Sequence, residues 1–231
     1  MLSITDITKS YNGNIVVNIP QLDISTGEII GLVGNNGAGK TTLFRLLLDL
    51  IRADKGQVFS KEKNVATSED WKKYTAAYLD EGFLINYLTP EEYFYFVGKL
   101  HQLSKADVDE FLLSFEAFFD GSILNSGKYI RDLSKGNQFK VGIAACLFQK
   151  PEVLILDEPF ANLDPSSQMR LIRMLKELPE RQEITILISS HDLSHVTDVC
   201  HRILLMEKGR IIKDIDTTAD TLQELEMYFE V

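Results

Sequence analysis

Apolar and polar residues alternate singly from Leu2 to Ile7, the period of a strand with one buried face, and Ile15-Val16-Val17-Asn18-Ile19 is a second β-rich run. Tyr11-Asn12-Gly13-Asn14 between them is a hairpin turn signal. Pro20 to Asp23 and Ser25-Thr26-Gly27 punctuate the chain ahead of Glu28-Ile29-Ile30-Gly31-Leu32-Val33, an unbroken apolar run of the kind a strand buried on both faces needs. Thr42-Leu43-Phe44-Arg45-Leu46-Leu47-Leu48 then spaces its apolar residues as a helix does. Lys55-Gly56 reads as a turn, Gln57-Val58-Phe59 as a strand, Lys61 to Lys72 as loop and short helix, and Ala76 to Leu79 as a core strand.

From Thr89 the period changes. Thr89-Pro90-Glu91-Glu92 supplies an N-cap, a proline at the first helical position and acids in the first turn. Ser104-Lys105-Ala106-Asp107 opens another helix, with Val108, Phe111, Leu112 and Phe115 along one face. Residues 86 to 150 therefore read as a helical lobe inserted in a β-rich chain. Strand and helix then alternate: Val153 to Leu156, a helix from Pro165 to Lys176, Ile184 to Ile188, and a helix from Leu193 to Cys200. Ile203 to Ile212 turns at Lys208-Gly209 as a hairpin, and Leu222, Leu225 and Phe229 mark an amphipathic last helix. This order implies an α/β fold with a mostly parallel sheet, an N-terminal antiparallel β layer and the inserted lobe, all in one domain over 1–231.

Between the first buried strand and the first helix lies Gly34-Asn35-Asn36-Gly37-Ala38-Gly39-Lys40-Thr41, followed by Thr42. It fits the phosphate-loop pattern, and strand, Gly-rich turn and helix are the context that gives the pattern a mechanism. Glycines let backbone N–H groups wrap an anion, and the helix N-terminus adds favourable partial charge. Lys40 would reach the β/γ-phosphates and the Thr41 hydroxyl would ligate Mg²⁺. A chain of this size matches the pattern by accident roughly one time in a hundred. The core is thus expected to be of the P-loop nucleoside-triphosphatase type, with a nucleoside triphosphate and Mg²⁺ as its ligands.

With 231 residues, the chain is long enough for one α/β domain with a substantial core. A net charge of −10 argues against a nucleic-acid binder and against electrostatic docking on anionic lipid. No signal-peptide or membrane-spanning run is present, so a cytoplasmic location is expected. Cys146 and Cys200 lack metal-ligand spacing and read as buried free thiols.

Asp157 and Glu158 end the Val153 strand, at the carboxyl edge where open parallel sheets bind ligands. Asp157 there can hold Mg²⁺, and Glu158 can polarise an attacking water. Leu133-Ser134-Lys135-Gly136-Asn137 opens a helix, with Ser134 either a plain N-cap or part of a second anion site. With the P-loop as Walker A, that segment as signature and Val153 to Glu158 as Walker B, the chain resembles the nucleotide-binding subunits of ATP-binding cassette (ABC) transporters over essentially its whole length. Ala161-Asn162-Leu163-Asp164 matches the D-loop and Ser190-His191-Asp192 the switch histidine. The resemblance implies two subunits closing head-to-tail, each ATP held between one P-loop and the other's Ser134, Lys135 and Gly136. It implies Glu158 as catalytic base, His191 on the γ-phosphate, Lys40 in the catalytic set, Asp164 acting across the dimer and Tyr11 stacking on adenine.

Three positions depart from the family's pattern. Lys135 stands where glycine is usual, Asn137 where glutamine is usual, and Glu81 where a glutamine usually serves Mg²⁺ and the attacking water. An ionised Glu81 accepts hydrogen bonds but donates none, so it is placed among the metal-binding candidates with Thr41 and Asp157. The resemblance also implies a permease subunit in a separate membrane chain, docked at a seam near Phe83, Tyr87, Tyr93, Phe94, Tyr95 and Phe96. These rings read first as the core of the lobe. A homodimer, or a heterodimer with a second ABC subunit, bacterial and exporter-like and held at the cytoplasmic face of the membrane, is the expected assembly. An ABC ATPase acting on ribosomes or DNA is the alternative, disfavoured by the acidity and by the absence of a second P-loop.

Overall fold

The computed structural model describes residues 1–181 and 183–229, and the side chains of Glu81, Arg181 and Phe229 lie outside it. The chain opens with β1 (Leu2–Tyr11), β2 (Asn14–Ile24), β3 (Ile29–Val33) and α1 (Lys40–Leu47). β4 (Lys55–Ser60), β5 (Lys63–Asn64) and β6 (Thr75–Tyr78) come next. Then come α2 (Pro90–Leu100), α3 (Lys105–Ser114), α4 (Glu116–Phe119) and α5 (Lys135–Leu147). The remainder alternates: β7 (Val153–Asp157), α6 (Pro165–Arg181), β8 (Thr185–Ser190), α7 (Leu193–Val199), β9 (Arg202–Glu207), β10 (Arg210–Asp216) and α8 (Thr221–Phe229).

Two sheets organise these elements. One is antiparallel in the order β2-β1-β4-β5, and the other runs β10-β9-β3-β8-β7-β6. From β9 to β6 the neighbours are parallel, and β10 closes one edge antiparallel to β9. β3, β7 and β8 are buried at every residue, which is why their sequences are unbroken apolar runs. Their alternate side chains go to opposite faces. Ile30, Leu32, Val153 and Ile155 join Phe44 of α1 and Ile4 of the antiparallel sheet. Ile29, Val33, Leu154 and Leu156 instead meet Val141, Leu171 and Val196 of the helices. Each fully buried side chain of this size contributes about 1.5–3 kcal/mol.

The lobe follows β6. Thr89 Oγ1 accepts the Glu92 N–H at 3.3 Å while the Glu92 carboxylate accepts the Thr89 N–H at 2.8 Å, a capping box that starts α2. Phe94 packs at ring-centroid distances of 5.8 Å from both Phe119 and Phe148, tying α2 to α4 and to the end of α5. α5 lies so close to β6 that a Cβ at Gly142 would come within 2.1 Å of the Tyr78 ring. That contact fixes the lobe against the sheet.

Three expectations need correction. Pro20 to Asp23 do not interrupt a strand but belong to β2, and Lys55-Gly56 is part of β4. Both follow from one irregularity: Asp6 has φ 50° and drops out of the ladder between the pairs Thr5–Gln21 and Ile7–Ile19. Pro20, without an N–H, sits opposite it on an edge strand, and Gly56 (φ 80°) presses its backbone against the Asp6 carbonyl. Third, α6 continues beyond Lys176 through Pro179, a residue that cannot donate a helical hydrogen bond. Among the described residues no helix is long and apolar enough to cross a membrane. Both cysteines are free, and burial pushes the Cys146 thiol up to about 12 and that of Cys200 up as well, so neither is a ready nucleophile.

Candidate functional site

The turn after β3 is held from two sides. The Gly209 N–H donates to the Ala38 carbonyl at 2.8 Å, and the Gly209 carbonyl accepts from Asn18 of β2 at 2.7 Å. Gly39 caps α1 with φ 111°, a conformation only glycine adopts without strain, and a Cβ there would lie 2.5 Å from the Val16 carbonyl. Gly34 is pressed as closely against the Met206 carbonyl. The result is a cavity of about 200 Å³ lined by Val16, the residues from Asn35 to Thr42, and Glu158. Lys40 is buried, with its Nζ 2.6 Å from the Gly34 carbonyl and 3.2 Å from Glu158 Oε1.

The C-terminal ends of β7 and β8 bring the acids to this cavity. Thr41 Oγ1 donates to Asp157 Oδ2 at 2.6 Å, and Ser189 Oγ donates to Asp157 Oδ1. The same Ser189 oxygen accepts the Glu158 N–H at 2.9 Å. Burial pushes the Asp157 carboxyl above its ordinary value, with the neighbouring Glu158 adding to the shift; the Ser189 and Thr41 hydrogen bonds and the Lys40 charge oppose it. A buried carboxylate in that state favours an added cation. Glu158 holds a left-handed backbone, φ 49°, which is uncommon outside glycine. Its Oε2 lies 2.8 Å from His191 Nδ1 and accepts the His191 N–H at 3.3 Å. Lys40, Glu158 and His191 therefore form one chain of contacts.

The other predicted residues form a separate surface. Ser134 caps α5 by accepting the Asn137 N–H at 3.3 Å, and the Asn137 amide donates to Ser122 Oγ at 3.2 Å within the lobe. A Cβ at Gly136 would stand 2.6 Å from the Asn162 carbonyl, so α5 starts directly against the segment after β7. In that segment Asp164 Oδ1 accepts Ser166 Oγ at 2.6 Å and the Ser167 N–H at 3.0 Å, while Oδ2 accepts Ser167 Oγ at 2.6 Å. The two serine hydroxyls, more than the N–H, hold the Asp164 carboxyl well below the usual carboxylate range. None of Ser134, Lys135, Gly136 and Asp164 lines the P-loop cavity. Neither does Tyr11, which is 45% exposed on the first hairpin with Lys9 Nζ 5.3 Å from its ring centre. Glu81 opens a 3₁₀ turn after β6, but its side chain is outside the described set.

The aromatic cluster divides. Phe94 is fully buried, and Tyr93 and Tyr95 are half-buried against the core, whereas Phe83, Tyr87 and Phe96 are exposed. The Arg131 guanidinium lies 4.8 Å from the Tyr87 ring and 5.3 Å from that of Tyr129. Sequence reasoning missed Ser189, whose signal was the pair Ser189-Ser190 ending the apolar run Ile186 to Ile188. It also missed Arg131 and Tyr129, for which no signal existed.

The geometry fits a nucleoside triphosphate with Mg²⁺. Among the described residues no group of three or more His, Cys, Asp or Glu side chains is arranged to hold a metal ion unaided. Thr41 and Asp157 touch beside the P-loop, the partial set expected of an ion completed by substrate phosphates.

A family model described as ABC transporter matches residues 17–161, and one for an AAA domain, described as a putative AbiEii toxin of a type IV toxin–antitoxin system, matches residues 128–196. The chain is 32% identical to the uncharacterized ABC transporter ATP-binding protein YhaQ of Bacillus subtilis, over 91% of this chain and 69% of that protein. It is 31% identical to the bacitracin transport ATP-binding protein BcrA of Bacillus licheniformis, over 93% of this chain and 69% of that protein. A solved ATP-binding subunit of an ABC transporter superposes with a TM-score of 0.85 at 24% identity, covering 100% of this chain and 98% of that one. An ATP-binding cassette solved as a dimer in a post-hydrolysis state with ADP and Pi superposes at 0.83 with 21% identity, over 95% of this chain and 100% of that one. The family match runs from β2 through the P-loop and past the acid pair, over every residue lining the cavity but Val16, and the chain belongs to the ABC transporter family as one of its ATP-binding, ATP-hydrolysing proteins.

Proposed function

We propose that this chain is a single cassette over 1–231, with its helical lobe at about 86–150, that hydrolyses Mg²⁺-bound ATP between two copies or beside a second ABC subunit. The resulting closure and reopening drive transport through a separate membrane chain that holds it at the cytoplasmic face. The observation that carries the reading is the chain Lys40–Glu158–His191 at the P-loop cavity, with Asp157 and Thr41 paired beside it.

In this reading the N–H groups from Asn35 to Thr42 cradle the phosphates, and Lys40 exchanges Glu158 for the β/γ-phosphate oxygens. Thr41 and Asp157, with Glu81 as a further candidate, would hold Mg²⁺, which would supply neutralisation of the phosphate charge. Glu158 takes a proton from the attacking water as its oxygen bonds to the γ-phosphorus and the bond to the β–γ bridging oxygen breaks, giving ADP and phosphate. His191 holds the Glu158 carboxylate through Nδ1, which leaves Nε2 for the γ-phosphate. Ser134, Lys135, Gly136 and Asp164 act on the ATP of the opposite copy, and Tyr11 stacks on adenine. The exposed rings of Tyr87 and Tyr129 around Arg131, with Phe83 exposed in the same stretch of chain as Tyr87, have the aromatic and arginine character of interface cores and suit docking of the membrane chain.

Light scattering of wild type and Glu158→Gln, with and without ATP and Mg²⁺, tests this. A dimer that appears only with nucleotide, and persists in the mutant, is the expected result. A mutant that binds ATP and remains monomeric at high concentration, with no hydrolysis by the wild type, would overturn it.

A further inference from the structure

Away from the ATP site, a cavity of about 510 Å³ opens at the seam where α3, α4 and α5 of the lobe meet α6 of the core. Its volume is that of a small-molecule site, and none of the residues assigned to ATP lines it. The wall is apolar, built from Phe111, Phe115, Phe118 and Met174. Phe115 and Phe118 are nearly excluded from solvent, so these rings are fixed by packing.

Charge at the seam runs against the rest of the molecule. The whole chain carries a net −10, yet Lys150, Arg170 and Arg173 line this cavity with Glu177 as the one acid among its lining residues. Arg170 Nη1 is shut away from solvent and lies 3.1 Å from Asp120 Oδ1, an ion pair that lacks hydrogen-bond geometry. Asp120 engages the guanidinium at one nitrogen, and an anion in the cavity supplies acceptors for its other N–H groups. Among the described residues Lys150 and Arg173 have no ion-pair partner. A solvated basic helix face accounts for Arg173 but not for three cations from two stretches of chain gathered at an aromatic-walled cavity.

We propose that this seam binds a soluble amphipathic anion, a carboxylate on a medium-length apolar tail, with the head at Arg170, Arg173 and Lys150 and the tail against Phe111 and Phe118. Such a ligand touches both the lobe and α6 and so stiffens one against the other.

Titration calorimetry of the full chain with decanoate, kept below its micelle concentration, tests the site against decanol, acetate and phosphatidylglycerol vesicles. Saturable binding of one decanoate per chain is expected, with decanol and acetate each weaker by about tenfold or more. The double substitution Lys150→Gln with Arg173→Gln weakens decanoate by about tenfold while basal ATP hydrolysis and the melting curve stay unchanged. Ala117→Phe or Ser114→Phe, both at exposed positions lining the cavity, blocks binding without altering charge. Decanol equal to decanoate, binding indifferent to the charge and plugging variants alike, or association with vesicles alone would each overturn the proposal.

Discussion

At the P-loop, side chains from α1, β7, β8 and the turns after β7 and β8 already touch one another, and Lys40, Asp157 and Ser189 among them are buried. Around Ser134, by contrast, the polar groups are spent locally: Ser134 on Asn137, Asn137 on Ser122, and Asp164 on Ser166 and Ser167. The first region is organised by contacts between distant stretches of chain, the second mainly by caps within a few residues. The difference teaches where each is tolerant. A cavity assembled from four elements fails when any of them shifts, while a surface built from local caps keeps its shape and presents it to whatever docks there. Head-to-tail pairing of two copies, as proposed above, needs one region of each kind.

The sharpest way to break that contrast is Glu158→Gln, which keeps the shape of the P-loop cavity but removes a proton acceptor. Phosphate release in single turnover should fall about 10²–10⁴-fold while ATP is still bound. Gly136→Ala acts on the other region. The new Cβ meets the Asn162 carbonyl and forces α5 off the segment after β7, so steady-state hydrolysis should drop about tenfold with ATP affinity of the isolated chain unchanged. Loss of ATP affinity in that variant would show that the two regions are not separable. Tyr11→Ala should raise the apparent KM for ATP about three- to tenfold with kcat kept, the worth of one aromatic stacking contact.

Asp157→Asn sharpens the comparison from the side of stability. Because burial raises the Asp157 carboxyl in the folded state, its ionisation opposes folding once the pH exceeds the ordinary carboxylate range. The amide should therefore raise the nucleotide-free melting point by about 2 °C at neutral pH while reducing Mg²⁺-dependent hydrolysis. Asp164 has the opposite sign. Its lowered carboxyl contributes stability that is full above the ordinary carboxylate range and fades only as the pH falls below it, so Asp164→Asn should flatten the acid limb of the melting curve slightly.

Legibility in the sequence followed the same division. β3, β7 and β8 were readable because strands buried on both faces must be apolar throughout, and Thr89 and Ser104 announced their helices because capping is local. Pro20 and Gly56 misled because what tolerates them, the break at Asp6, lies on another strand. Within the site, the P-loop and the acid pair carry their chemistry in their spacing. The contact of Glu158 with His191, 33 residues apart, has no local trace. Nor could composition separate Phe94, wholly buried, from Tyr87, 72% exposed, since both lie in one aromatic run.

Ser189 shows how narrow the allowed alphabet becomes at such a place. Its single hydroxyl gives its proton to Asp157 and receives the one from Glu158, and the residue is wholly enclosed at the end of β8. Alanine would strand both a carboxylate oxygen and an N–H, a loss of about 1–3 kcal/mol for each unsatisfied group. Threonine would keep the hydroxyl but add a methyl where packing leaves no room. Position 189 is thereby reserved for serine by two unrelated demands, and variation there would register in the cation site and in the catalytic acid at once.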